Sequence, residues 1–162
     1  MLINQAIHTL DLMQWFSGGV KSLKGVVESS FLHDATEAED TAIANMVMAN
    51  GARGLFYATN CNTTDSPLLL EIHCEKGLLQ LHHNSLWFSS GDDKVLLASD
   101  DVDSKNQKCY WGRSHRQAID NFYAALYRTT HHHYVDIYQA EISLRMVEAI
   151  YQSSMSRNWI TI

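Results

Sequence analysis

The 162-residue chain has a single proline, which excludes a Pro-rich linker or tail, and its 46% hydrophobic and 19% charged content is that of a globular protein. No apolar run approaches the length of a membrane span, and no basic stretch leads into an apolar one at the start. Neither a transmembrane segment nor a secretory leader is therefore expected. Cysteine is scarce. Cys61, Cys74 and Cys109 are an odd set at wide spacings without a C-x-x-C, which excludes a disulfide framework and fits reduced thiols in a cytoplasmic protein. Basic residues are few and scattered, 12 Lys and Arg against 18 Asp and Glu, and the formal charge of -6 argues against a nucleic-acid partner. The length suits one domain over residues 1–162, since two hydrophobic cores would each be small and marginal.

What is present begins with residues 2–16, L-I-N-Q-A-I-H-T-L-D-L-M-Q-W-F. Ile3, Ala6, Ile7, Leu10 and Met13 recur at helical spacing and predict a buried stripe. Asn4, His8 and Asp11, with Trp15, fall on a neighbouring stripe, so an amide, an imidazole and a carboxylate project together from the edge of the buried face. This is the best candidate site in the chain. On pattern alone, the same stripe reads first as the solvated flank of a surface helix.

Ser17-Gly18-Gly19 ends that helix, and a strand is expected over residues 20–29. The acidic stretch 34–40 reads as a solvated loop. Asn50-Gly51 is the clearest turn, joining β-prone runs 41–49 and 52–60 into a tight hairpin with positive φ angles. After a polar connection over 60–67, extended patterns resume at 68–74, at Leu79 and Leu81, at 86–88 and at 94–97, separated by short turns. Residues 99–108 read as an exposed loop. A helix starts at Ser114, with Gln117 at capping-box spacing and Ile119, Phe122, Tyr123 and Leu126 as its apolar stripe. A last helix spans about 136–153, with Ala140, Leu144, Val147 and Tyr151 as one stripe, Ile142, Met146 and Ala149 broadening it, and Glu141 paired with Arg145 on the surface. Residues 159–162 are β-prone and suit an edge strand. This order predicts an α+β fold, a largely antiparallel open sheet with helices on one face, and the open sheet face is a natural surface for a homo-oligomer.

His82, His83, His131, His132 and His133 raise a metal site and then argue against it, because adjacent histidines point in different directions and do not share a coordination sphere. Met13, Met46, Met48 and Met146 read as core filling.

Five stretches together carry a resemblance: N-Q-A-I-H-T-L-D-L-M-Q-W-F-S-G (residues 4–18), E-D-T-A (39–42), E-I-H-C-E-K-G (71–77), Y-W-G-R-S-H (110–115) and A-I-Y-Q-S-S (149–154). In this order and spacing the chain resembles the C-terminal domain of the glucose-fructose oxidoreductase / inositol dehydrogenase (Gfo/Idh/MocA) family. The resemblance implies the glyceraldehyde-3-phosphate dehydrogenase-like C-terminal fold, a domain that supplies the substrate site and the oligomer interface beside an N-terminal Rossmann domain that binds NAD or NADP. No G-x-G-x-x-G and no E-K-P stand in these residues. No cofactor is therefore expected on this chain alone, and the Rossmann domain is expected in cis in a longer polypeptide or in trans in a partner.

The family's catalytic pair in this domain is an acidic or amide residue followed four positions later by histidine, and the resemblance places it at Asn4 and His8. Oxidising a sugar, cyclitol or related polyol CH–OH requires loss of the hydroxyl proton as hydride leaves for nicotinamide, and an imidazole accepts such a proton. Asn4 hydrogen-bonds but does not supply the charge of an aspartate. By the same resemblance His115, after Trp111 and Gly112, stands near the substrate region, where the alternative is a structural helix-start histidine; Tyr110 and Trp111 either stack on a sugar face of the substrate or fill a core; Asp11, three residues beyond His8, joins the site through His8 or faces solvent. The implied function is the substrate-binding and catalytic half of an NAD(P)-dependent oxidoreductase, inactive without its Rossmann domain. The alternative is a free-standing, non-catalytic binding or oligomerisation module.

Overall fold

A computed structural model describes residues 1–29, 31–32, 34–64, 66–99, 115–127 and 134–162. The chain forms two compact units, Met1–Thr64 with Val135–Ile162, and Asp65–Tyr134. The first opens with a π-helical turn, Leu2–Ala6, that runs into helix α1, Ile7–Ser17, which Gly18 closes in the left-handed conformation. Strands β1 (Val20–Glu28), β2 (Thr41–Met48) and β3 (Arg53–Thr59) follow. Helix α3 (Ile137–Ser156) and the short strand β8 (Ile160–Thr161) complete the unit. The sheet order is β3-β2-β1-β8, antiparallel throughout.

The α+β expectation, with helices on one face of an antiparallel sheet, describes this unit. Its core joins Leu2, Ala6 and Leu10 from the first helical segment, Leu23, Ala44, Met46 and Phe56 from the sheet, and Met146, Val147 and Ile150 from α3. The buried stripe of the first helix is rotated from the expected one. Leu2, Ala6, Leu10 and Gln14 face inward at four-residue spacing, Ile7 and Met13 are half-buried, and Ile3 is 60% exposed. The wide π turn advances less around the axis per residue, which brings Leu2 and Ala6 onto one line. In α3 the inward residues are Ser143, Met146, Val147, Ala149, Ile150 and Ser153, whereas Ala140 and Leu144 face solvent. Asp136 caps α3 in a reciprocal capping box with Gln139.

Two local readings change. The Asn50-Gly51 hairpin exists, but only Gly51 has a positive φ, of 88°. Gly51 N–H donates to Met48 O at 3.0 Å and Met48 N–H to Ala52 O at 2.9 Å, a turn followed by a glycine bulge. The acidic stretch ends inside the protein: Asp40 is fully buried and its Oδ2 accepts from the N–H groups of Phe31 and Leu32 at 2.8 and 3.0 Å.

β8 covers only Ser22 and Leu23 of the β1 edge. Beyond it the edge donors of β1 need partners, because an unpaired buried N–H is costly. Ser153 Oγ accepts from Gly25 N–H at 3.0 Å and donates to Asn158 O at 2.6 Å, and Ser154 Oγ accepts from Val27 N–H at 3.1 Å. This close approach of α3 is open because residue 25 has no side chain: a Cβ there would meet Ile150 Cγ2 and Ile43 O, each at 3.1 Å.

The second unit is the antiparallel meander β4 (Leu69–Cys74), β5 (Gly77–His82), β6 (Ser85–Ser90) and β7 (Asp93–Ser99), with helix α2 (His115–Leu126). The strands expected as parts of one open sheet thus fall into two four-stranded sheets. His83 and Asn84, with φ of 49° and 58°, form the two-residue turn between β5 and β6 that the apolar pattern alone did not mark. The Ser114 cap lies outside the described residues.

Ser153→Ala strips the β1 edge of a buried partner and is expected to lower the unfolding free energy by about 1–3 kcal/mol. Glu141→Ala removes only the surface pair with Arg145 and is expected to cost less than about 0.5 kcal/mol. Denaturant unfolding of the two variants checks both; equal losses would refute the assignment of the serine as the edge cap.

Candidate functional site

α1 presents its candidate residues outward. Asn4, in the π turn, and His8, in the first turn of α1, are both exposed, and among the described residues neither side chain has a hydrogen-bond partner. Beside them Ile3 is exposed, and Trp15 is 67% exposed with its ring 4.9 Å from that of Phe16. An amide and an imidazole four residues apart, free of internal bonds and flanked by exposed apolar side chains, suit a polar ligand that brings or borders an apolar surface.

Asp11 does not belong to this free face. Its Oδ1 accepts from Ser143 Oγ of α3 at 2.6 Å and from Gln14 Nε2 at 3.0 Å, so the carboxylate ties α1 to α3 and satisfies the buried Gln14 amide. His115 is exposed at the start of α2, in the second unit. Tyr110 and Trp111 lie outside the described residues, as do His131, His132 and His133. Among the described residues no group of three or more His, Cys, Asp or Glu is placed to hold a metal ion.

The residue that sequence reasoning passed over is Glu39. Its carboxylate sits at the start of the π turn, with Oε1 accepting from Leu2 N–H at 2.6 Å and lying 3.0 Å from the terminal nitrogen of Met1. Tyr151 of α3 donates its hydroxyl to Oε2 at 2.8 Å. Burial opposes the charge on Glu39, but the bonds from Leu2 N–H and Tyr151 outweigh it and hold the carboxyl below the usual range. The Tyr151 phenol is pushed up to about 12, first by burial and then by its bond to Glu39 and that residue's charge. Glu39 and Tyr151 stand in two of the stretches that carried the resemblance, yet nothing local links residues 112 apart in sequence.

Every strand pair in both sheets is antiparallel, so the described residues contain no parallel strand–helix–strand crevice for a pyrophosphate.

Comparisons with known proteins agree with one another. The family model described as "Oxidoreductase family, C-terminal alpha/beta domain" matches residues 1–162. No curated protein matches the chain. Among solved structures, an oxidoreductase from Agrobacterium radiobacter in complex with NAD+, L-tartaric acid and magnesium is 16% identical with a TM-score of 0.78, over 99% of this chain and 48% of that one. A levoglucosan dehydrogenase in complex with NADH and levoglucosan is 16% identical with a TM-score of 0.76, over 98% and 49%. The WlbA dehydrogenase from Bordetella pertussis, in complex with NADH and UDP-GlcNAcA, is 22% identical with a TM-score of 0.65, over 98% and 44%. The chain thus spans about half the length of each of these proteins, and at these identities the likeness is one of fold.

Because the folded state lowers the Glu39 pKa, the stability it contributes is present above its unfolded value of 4.5 and is lost as pH falls through the folded value. For Tyr151 the folded pKa is raised, so its contribution is complete below 10 and disappears as pH rises from 10 to about 12. Thermal unfolding against pH should show Tyr151→Phe with a shallower alkaline decline than the parent, and Glu39→Gln with a shallower acid decline. Parallel curves at either end would contradict the corresponding bond.

Proposed function

The chain belongs to the Gfo/Idh/MocA oxidoreductase family, as its C-terminal alpha/beta domain, and from that premise we propose that it is the substrate-side half of an NAD- or NADP-dependent dehydrogenase acting on the CH–OH of a sugar, cyclitol or related polyol. The observation that carries the reading is the unbonded Asn4–His8 pair on the outer face of a helix that is otherwise tied down. The presence of NADH with levoglucosan or with a UDP-sugar acid in two proteins of the same fold supports the substrate class.

In this reading an imidazole nitrogen of His8 takes the hydroxyl proton, and the Asn4 amide holds the hydroxyl or the ring by hydrogen bonds. The nicotinamide, when bound by a Rossmann domain in cis or in trans, accepts the hydride. This chain's part is to bind the polyol, orient its reacting hydroxyl and remove the proton. Trp15, Phe16 and Ile3 then meet the neighbouring domain or the ligand, which removes their exposed surface from water. His115, Trp111 and Tyr110 remain substrate-contact residues on the strength of the resemblance, and a cytoplasmic setting is proposed with them; no helix among the described residues is long and apolar enough to cross a membrane.

The second part of the reading is a homo-oligomer through the uncovered face of the first sheet. Val26, Ile43 and Tyr57 stand in register across β1, β2 and β3, and Leu55 extends the row. Tyr57 is 61% and Leu55 71% exposed. A contiguous apolar face of this kind in an antiparallel sheet suits burial against its own copy about a two-fold axis. The same face also favours the non-catalytic oligomerisation module as the runner-up.

In a polypeptide carrying both halves, His8→Ala is expected to lower nicotinamide-dependent polyol turnover by about 10²–10⁴-fold. Unchanged turnover would remove His8 from the chemistry. Titration calorimetry of the 162-residue chain with NAD or NADP is expected to give no micromolar binding, and a micromolar Kd would overturn the division of labour. Sedimentation should show a dimer or larger species that Ile43→Lys with Leu55→Lys converts to monomer; a monomeric parent would exclude the sheet-face interface.

A further inference from the structure

The π turn that leads into α1 is unusual, because such turns are rare and need support from outside the helix. Here Ile7 N–H reaches back five residues to Leu2 O, and Met1 O accepts from Asn4, Gln5 and Ala6 N–H at 3.3, 3.0 and 3.5 Å. The body of α1 is fixed independently of this turn, by buried Leu10 and Gln14 and by the Asp11–Ser143 bond. If the turn rewound to α geometry, residues 2–6 would rotate about the axis relative to that fixed body. Asn4 lies inside the rotating part and His8 outside it. The angular relation of the two side chains is therefore set by the winding of the turn.

Glu39 holds that winding. Its Oε1 accepts from Leu2 N–H, the first amide of the π turn, at 2.6 Å. Glu39 is itself gripped from two sides. Tyr151, beside fully buried Ile150 on α3, holds Oε2, and the next residue, Asp40, is locked to Glu28 and Asn60 by backbone bonds and to Phe31 and Leu32 by its side chain. We propose that Glu39, held by Tyr151, is a positioning residue whose carboxylate keeps the π turn wound and thereby sets Asn4 against His8. It rests on the reading of these two residues as the reactive pair. Neither Glu39 nor Tyr151 touches substrate; they act through the Leu2 amide. A continuous path runs from α3 through the Tyr151 hydroxyl and the Glu39 carboxylate to the turn that carries Asn4.

The test compares Tyr151→Phe, which removes one hydroxyl, and Glu39→Gln, which keeps an acceptor for Leu2 N–H but not the charge, with the parent chain by amide hydrogen exchange and by the NMR shifts of the Asn4 side-chain amide and the His8 ring. Exchange at residues 5–8 is expected to accelerate roughly tenfold or more while β2 and β3 change by less than about threefold, since local opening is separable from global unfolding. Both side-chain signals should shift, with Glu39→Gln intermediate between Tyr151→Phe and Glu39→Ala if the accepted bond is what matters. Uniform acceleration through the unit, or unchanged exchange at residues 5–8, would reduce the pair to ordinary stabilisation and overturn the proposal. These readouts need no cofactor. In a polypeptide with both halves, Tyr151→Phe should lower kcat with little change in the KM for cofactor, whereas absent turnover in the parent would defeat the dehydrogenase reading and leave the exchange result to decide the clamp.

Discussion

The hydrogen bond from Tyr151 to Glu39 joins three parts of the first unit. One end belongs to α3, the helix that covers the sheet. The other belongs to the loop that enters β2, and through Leu2 N–H the carboxylate reaches the start of the helical segment that carries Asn4 and His8. Because the Glu39 side chain is largely withdrawn from water, it must be paired to remain charged, and Leu2 N–H and the Tyr151 hydroxyl supply partners to its two oxygens. A second polar tie, Asp11 to Ser143, fixes the same helix lower down. Between these ties the inward face is apolar and the outward face is left exposed.

The helix that receives both ties is also bound to the sheet by polar groups. Ser153 and Ser154 complete the β1 edge where β8 stops, so the backbone of β1 and the side chains of α3 form one hydrogen-bonded layer. Gly25 permits that approach. Position therefore passes from β1 to α3 and on to α1 through directional bonds in addition to apolar packing. The other sheet face presents Val26, Ile43, Leu55 and Tyr57 instead.

Periodicity and turn chemistry were enough to read the α+β class, the first and last helices, the Asn50-Gly51 hairpin and the returning edge strand. Element phase was harder to read. Ile3 fits an α-helical stripe, but the π turn rotates it outward and puts Leu2 in the core, and no residue in L-I-N-Q-A announces that winding. The division into two sheets was equally hidden, because alternation marks a strand without naming its neighbours. Asn4 and His8 were visible as neighbours by helical spacing, and their proposed role comes only from the resemblance. Asp11 shared their stripe, and its bond to Ser143 was hidden because that partner lies 132 residues away. Glu39 was read as part of a solvated acidic stretch for the same reason: the partners that bury it come from the distant ends of the unit.

The outward Asn4–His8 pair is proposed to handle the reacting hydroxyl of a polyol. A crystal structure of a polypeptide with both halves, bound to oxidised nicotinamide cofactor and a polyol, tests it most directly. An imidazole nitrogen of His8 is expected within about 3 Å of the hydroxyl whose carbon faces the nicotinamide, with Asn4 bonded to that hydroxyl or to the ring. A polyol whose reacting hydroxyl is bonded to a different base, with His8 turned to solvent, would contradict it.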